Sequence, residues 1–141
     1  MILLIHSAAT LFMTGLIWFV QVVHYPLMAR VGRSGFAEYE QAHSASTTLV
    51  VAAPMLIELG TAIWLVAFPP ARNLSGAAWL GLILVVLIWA STWLLQVPQH
   101  EILAHGFESQ AHQRLVATNW IRTWLWSLRA ILVLWMLRTT S

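Results

Sequence analysis

The sequence contains no cysteine, no lysine and no aspartate. Without cysteine there is no disulfide, no thiolate-held zinc and no iron–sulfur cluster. The same absence leaves the redox state of its compartment unmarked. Charge of either sign is scarce. The seven basic residues are all arginine, the five acidic ones are all glutamate, and charged residues make up 9% of the 141. A soluble domain carries about 25%, so a chain of this size could not cover its own surface in water. The net charge is only +2 and the arginines are scattered, which excludes nucleic acid as a partner.

What is present is hydrophobic: 60% of residues, with a mean hydropathy of +0.76. A bilayer core of about 30 Å needs about 20 apolar residues in a helix. Four stretches qualify, roughly residues 2–28, 46–68, 77–97 and 119–137. Pro69 and Pro70 end the second, and residues 73–76 make a tight connection to the third. The apolar N-terminal stretch lacks a basic leader and outruns a signal-peptide core, so it reads as a retained first span. The expected fold is all-α: one domain, 1–141, forming a four-transmembrane-helix bundle. Its partners are the lipid bilayer and a small hydrophobic substrate, with a homo-oligomer as a further state.

Two longer connections, residues 30–44 and 98–118, fall on one membrane side. Arg30, Arg33 and Arg114 lie there, with Arg122 just inside the last helix, while Arg72 and Arg138 lie opposite. The positive-inside rule puts the long connections in the cytoplasm of a multi-pass inner (plasma) membrane protein.

The halves, about 1–68 and 77–141, share an ordered set of residues. Trp18, Gln21-Val22, His24, Leu27, Gly35-Phe36 and Ala42-His43 match Trp93, Gln96-Val97, His100, Leu103, Gly106-Phe107 and Ala111-His112. Spacings differ by one before the first histidine and by more in the loop. Such a pattern predicts two repeated helical hairpins with pseudo-two-fold symmetry along the membrane normal. His24, His43, His100 and His112 would then surround one axis at one depth.

At about 100° per residue, each span carries one polar stripe, and each stripe contains a histidine. In lipid these stripes face the bundle interior. Imidazole is the commonest metal ligand, and a hard or borderline metal recruits carboxylates too. Glu40 and His43 have the Glu-x-x-His spacing that places both groups on one helix face. Glu108 and His112 are one turn apart. The expected metal ligands are therefore His24, His43, His100 and His112, with Glu40 and Glu108. Iron is the first choice for such a mixed set, and zinc or copper follow. Gln21, Gln96 and Asn119 would orient the ligands. Glu58 lies mid-membrane and needs a counter-charge; Arg122 and Arg129 are the candidates. Glu58 and Arg122 would line the reaction cavity.

Other readings stand beside this one. Each histidine, His6 and His105 above all, can serve as a hydrogen-bonded structural residue. Polar stripes also hold helices together without further function. The loop glutamates can pair with nearby arginines. A haem b cytochrome with two axial histidines is the alternative cofactor reading. A small transporter or structural module is the alternative without metal. Trp18 and Trp93 are candidate cavity walls, with packing as the plainer explanation.

The segments at residues 21–27 and 96–129 resemble an uncharacterised group of small bacterial four-helix membrane proteins. The run Thr118-Asn119-Trp120-Ile121-Arg122-Thr123 followed by Trp126-Ser127-Leu128-Arg129 carries most of that resemblance. The layout also resembles, in architecture alone, anthrone-oxygenase-like membrane proteins. The first resemblance implies no activity. The second implies oxygenase chemistry by analogy of fold and no particular catalytic residue. Together with the histidines, it leads to the expectation of a metal-dependent oxidoreductase or oxygenase acting on a lipid-soluble substrate.

Overall fold

The computed structural model describes residues 1–140. Helix α1 (Ile2–Phe19) passes through a π-helical turn, Val20–His24, into α2 (Tyr25–Met28). Helix α3 spans Phe36–Ala67. Helix α4 (Ser75–Ser91) passes through a second π-helical turn, Thr92–Gln96, into α5 (Val97–Leu103), and α6 spans Ser109–Thr140. The architecture is all-α. Four continuous helical segments, Ile2–Met28, Arg33–Ala67, Arg72–Leu103 and Ser109–Thr140, are long and apolar enough to cross a membrane. The chain is a multi-pass membrane protein.

The connections on the histidine side are shorter than residues 30–44 and 98–118. Helix α3 already begins at Phe36, α5 runs to Leu103 and α6 begins at Ser109. The polar residues of these stretches mark where the chain leaves the apolar layer, not where the helices end. At 32 residues each, α3 and α6 are about 48 Å long, well beyond a hydrocarbon core of about 30 Å. The remaining turns use Gly32 and Gly106, both at positive φ, a conformation that costs glycine little.

Both π-helical turns have one cause. Pro26 and Pro98 each follow a π turn by two residues. A proline inside a helix lacks an N–H and collides with the carbonyl four residues earlier. Those carbonyls belong to Val22 and Leu94, inside the widened turns. The prolines lie 72 positions apart (98 − 26), whereas Gln21 and Gln96 lie 75 apart and His24 and His100 lie 76 apart. The shared bend and the shared side chains therefore have different registers.

Helix α1 packs against α3 and α6, and α4 packs against the same two. The core has three layers. Tyr25, Met28, Phe36, Leu103, Ala111 and Leu115 fill the histidine end. Met13, Ile17, Met55, Ile88 and Trp126 fill the middle. Leu3, Leu65, Leu74, Ala78 and Met136 fill the other end. Polar side chains are interleaved inside, including Gln21, Glu40, Glu58, Gln96, Asn119, Arg122 and Arg129. Large apolar residues such as Leu4, Leu49, Leu80 and Ile131 point outward, as a lipid solvent requires.

Candidate functional site

Glu40 and His43 stand one turn apart near the start of α3, and His100 faces them from α5. Ligand atoms of these three residues all lie within 4.8 Å of one another. Glu40 is fully buried. Its Oε1 is 2.5 Å from His100 Nδ1 and accepts the Ser44 hydroxyl at 3.1 Å. Its Oε2 is buried with no hydrogen-bond partner. A buried, unpaired carboxylate oxygen is costly, and this one belongs to a carboxylate grouped with two imidazoles.

His24 and Tyr25 extend the group. His24 Nε2 lies 3.0 Å from His43 Nδ1, which Thr47 Oγ1 also approaches at 3.2 Å. His43 is thus held through Nδ1, which leaves Nε2 for another partner. On the other flank, Tyr25 Oη lies 3.0 Å from His100 Nε2, and Arg122 donates to Tyr25 Oη at 3.3 Å. A proton assignment that satisfies the row has His100 donating through Nδ1 to Glu40. Tyr25 then donates to His100 Nε2, and Arg122 donates to Tyr25. Glu40, His100, Tyr25 and Arg122 form a continuous hydrogen-bonded relay.

Arg122 is fixed from behind. It donates through Nε to Asn119 Oδ1 at 2.9 Å and through a terminal nitrogen to the same oxygen at 2.5 Å. Asn119 donates to Gln21 Oε1 at 2.8 Å, and Gln21 donates to the Val116 carbonyl at 3.2 Å. Gln21 and Asn119 therefore orient Arg122 rather than the histidines. Gln96 bonds Ser91 and Thr118, a link from α4 and its π turn to α6.

A cavity of about 690 Å³ lies against this group, within the range of small-molecule sites. His24, His43, His100, Tyr25 and Arg122 line its polar end, and Leu16, Ile17, Val20, Val51, Met55 and Trp126 are among its apolar walls.

The remaining expected site residues lie elsewhere. His112 is outside the three-residue group; its Nε2 donates to the Tyr25 carbonyl at 2.8 Å. Tyr25 opens the four-residue α2, so its carbonyl is among the last four of the first span, where intrahelical partners run out. Glu108 accepts the backbone N–H groups of Gln110 and Ala111 and so caps the start of α6. Glu58 pairs with Arg129, at 3.2 Å, and not with Arg122; it also accepts the Trp126 indole at 2.9 Å. Arg129 further donates to the Gly81 carbonyl, to His6 Nε2 at 3.2 Å and to Thr10 at 3.3 Å. This second polar cluster is thoroughly bonded and lies below the first. His105 Nδ1 bonds the carbonyl of Glu101. Trp18 and Trp93 are outside the cavity lining; Trp18 packs on Trp120 and Trp124.

Tyr25 and Ser44 belong to the site without having stood out in the sequence, whereas Thr47 shares the polar stripe of His43. Tyr25 follows Gln21 by four residues, which puts both on one helix face, and that spacing was the available signal. Comparisons with protein-family models, with curated proteins and with solved structures find no match to this chain.

Proposed function

We propose that this chain is a membrane-embedded metalloprotein whose ion is held by Glu40, His43 and His100, with redox chemistry on a small lipid-soluble molecule in the adjoining cavity. The observation that carries the reading is the Glu40 carboxylate, grouped with His43 and His100 while its Oε2 is buried and unpartnered. Metal–ligand bonds of about 2.0–2.2 Å keep donor atoms about 3.5 Å apart in a tetrahedral site. Closing the 4.8 Å spread of the group to that spacing would take side-chain rotation at Glu40, His43 and His100. An ion there would be held by His100 together with Glu40 and His43 and would supply Lewis-acid or redox chemistry at the polar end of the cavity. The His100 Nε2–Tyr25 Oη contact at 3.0 Å would serve as the outer hydrogen bond that orients a ligating imidazole. His24 supports His43 in the same way. Iron suits a mixed imidazole–carboxylate set, with zinc and copper next.

A haem b reading is less well supported. Two axial imidazoles flank an iron, with nitrogens about 4 Å apart at ordinary bond lengths. His24 and His43 instead hydrogen-bond to each other at 3.0 Å. A Soret band in purified protein would restore that reading.

Arg30, Arg33 and Arg114 on the histidine side, against Arg72 and Arg138 opposite, favour a cytoplasmic site in the plasma membrane. In intact cells an impermeant maleimide should then spare Ser34→Cys and label Asn73→Cys. The deciding experiment is metal quantification after purification and after reconstitution with Fe²⁺, Zn²⁺ or Cu²⁺. We expect about one to two ions per wild-type chain and at least a tenfold loss of affinity in Glu40→Gln, His43→Ala and His100→Ala. A wild type that holds none of these ions would overturn the proposal.

A further inference from the structure

Helix α6 carries two buried arginines two turns apart, and only one has a counter-charge. Arg129 meets the Glu58 carboxylate at 3.2 Å. Arg122 is just 9% exposed, yet every acceptor around it is neutral: Asn119 Oδ1, Tyr25 Oη and, at 3.4 Å, Thr92 Oγ1. Among the described residues, the ion pairs engage Glu40 and Glu58, and neither reaches Arg122 directly. Glu40 connects to it only through His100 and Tyr25.

A guanidinium enclosed at membrane depth without an anion is expensive. Its longest bond, to Thr92, is on NH1, so that nitrogen is the least committed. Arg122 also lines the 690 Å³ cavity, where Tyr25, Thr92 and Gln96 are polar neighbours and Leu16, Val20, Val51 and Met55 form apolar walls. The lining holds one guanidinium, buried Arg122, and one carboxylate, Glu101, which is exposed on α5; the buried polar end of this apolar chamber therefore has the polarity of a ligand with one anionic head and a long hydrocarbon body.

We infer that the cavity binds an anionic amphiphile, a long-chain carboxylate in the first instance, with its head on Arg122 and its chain between α1 and α3. The planar guanidinium suits a carboxylate held by two hydrogen bonds. The inference takes from the proposed function only that the cavity holds a ligand; it does not require the metal. A divalent ion at Glu40 would add positive charge and strengthen the attraction.

The test is equilibrium binding of radiolabelled palmitate to the full chain in lipid nanodiscs, with hexadecanol and acetate as competitors. Palmitate should bind and be displaced by unlabelled palmitate. Hexadecanol should compete at least about tenfold more weakly, the usual scale of a charged hydrogen bond, and acetate should hardly compete. Arg122→Gln should weaken palmitate binding about tenfold to a hundredfold, and Arg122→Lys should keep part of it. Equal competition by hexadecanol would overturn the inference, because the charge would then play no part. Equal competition by acetate would also overturn it, because the chamber would then play none. Both comparisons use wild type, so they stand even if a variant misfolds. Metal content measured on the same samples separates the two readings. Palmitate binding without metal retains this inference and removes the metalloprotein; metal without selective palmitate binding does the reverse.

Discussion

Glu40 offers two oxygens with different surroundings. Oε1 is held by His100 and Ser44, whereas Oε2 has no partner. Glu108 looks equivalent in the sequence, one turn from a histidine, but its oxygens close the backbone at the start of α6. Spacing identifies helix faces and does not reveal which carboxylates are already engaged by a helix end. This difference separates the proposed ligand from the cap. Glu40→Gln keeps the size and one acceptor but loses the anion, and metal affinity should fall at least tenfold. Glu108→Ala and His112→Ala should leave metal content unchanged and cost stability instead, about 1 kcal/mol each for a lost cap or a freed carbonyl. Metal analysis and thermal unfolding of the three purified variants give the comparison. Metal loss in His112→Ala equal to that in Glu40→Gln would restore the four-histidine arrangement and displace the three-residue one.

At the scale of elements, the helices were legible because lipid imposes a simple rule. Twenty apolar residues must be helical, and their polar positions must turn inward. Glu58 was legible as a residue needing a cation, but the choice between Arg122 and Arg129 was not. Both lie on α6 two turns apart, and their depth relative to α3 depends on how the helices slide. The π-helical turns were hidden for a similar reason: Pro26 and Pro98 announce a disturbed helix, but not whether it breaks, kinks or widens. The observed Glu58–Arg129 pair ties α3 to α6 in the middle of the bundle. Removing one partner leaves a buried charge, so Glu58→Leu and Arg129→Met should each cost about 3–5 kcal/mol. The double variant should cost about 2 kcal/mol or more less than their sum. Reversible unfolding in mixed micelles measures this coupling. Strict additivity would mean that the pair contributes no link between the helices, and that the Gly81, Thr10 and His6 contacts hold Arg129 by themselves.

Across the whole molecule, the four spans are not equally embedded in the bundle. In its most apolar stretch α3 is 22% buried, against 33–39% for the other three. Its buried apolar positions beyond the first turns are Met55, Ala62 and Leu65, all in its second half. Between Gln41 and Val51, residues of α3 line the cavity together with Leu16 and Ile17 of α1. A packing defect of this size at a helix interface forfeits contacts that a closed bundle would have, which is how binding sites commonly trade stability for function. Val51 lines the cavity from α3, opposite Leu16 and Ile17, more than two turns along α3 from Glu40 and His43. Val51→Phe should occupy part of the chamber beside Leu16 and Ile17, extend the existing α1–α3 contact and stabilise the protein by about 0.5–2 kcal/mol. Palmitate binding should fall at least tenfold, with metal content unchanged. If stability instead drops while palmitate binding persists, the gap between α1 and α3 is not where the hydrocarbon chain lies. The anionic head would then remain on Arg122, with the chain leaving along another face of the bundle.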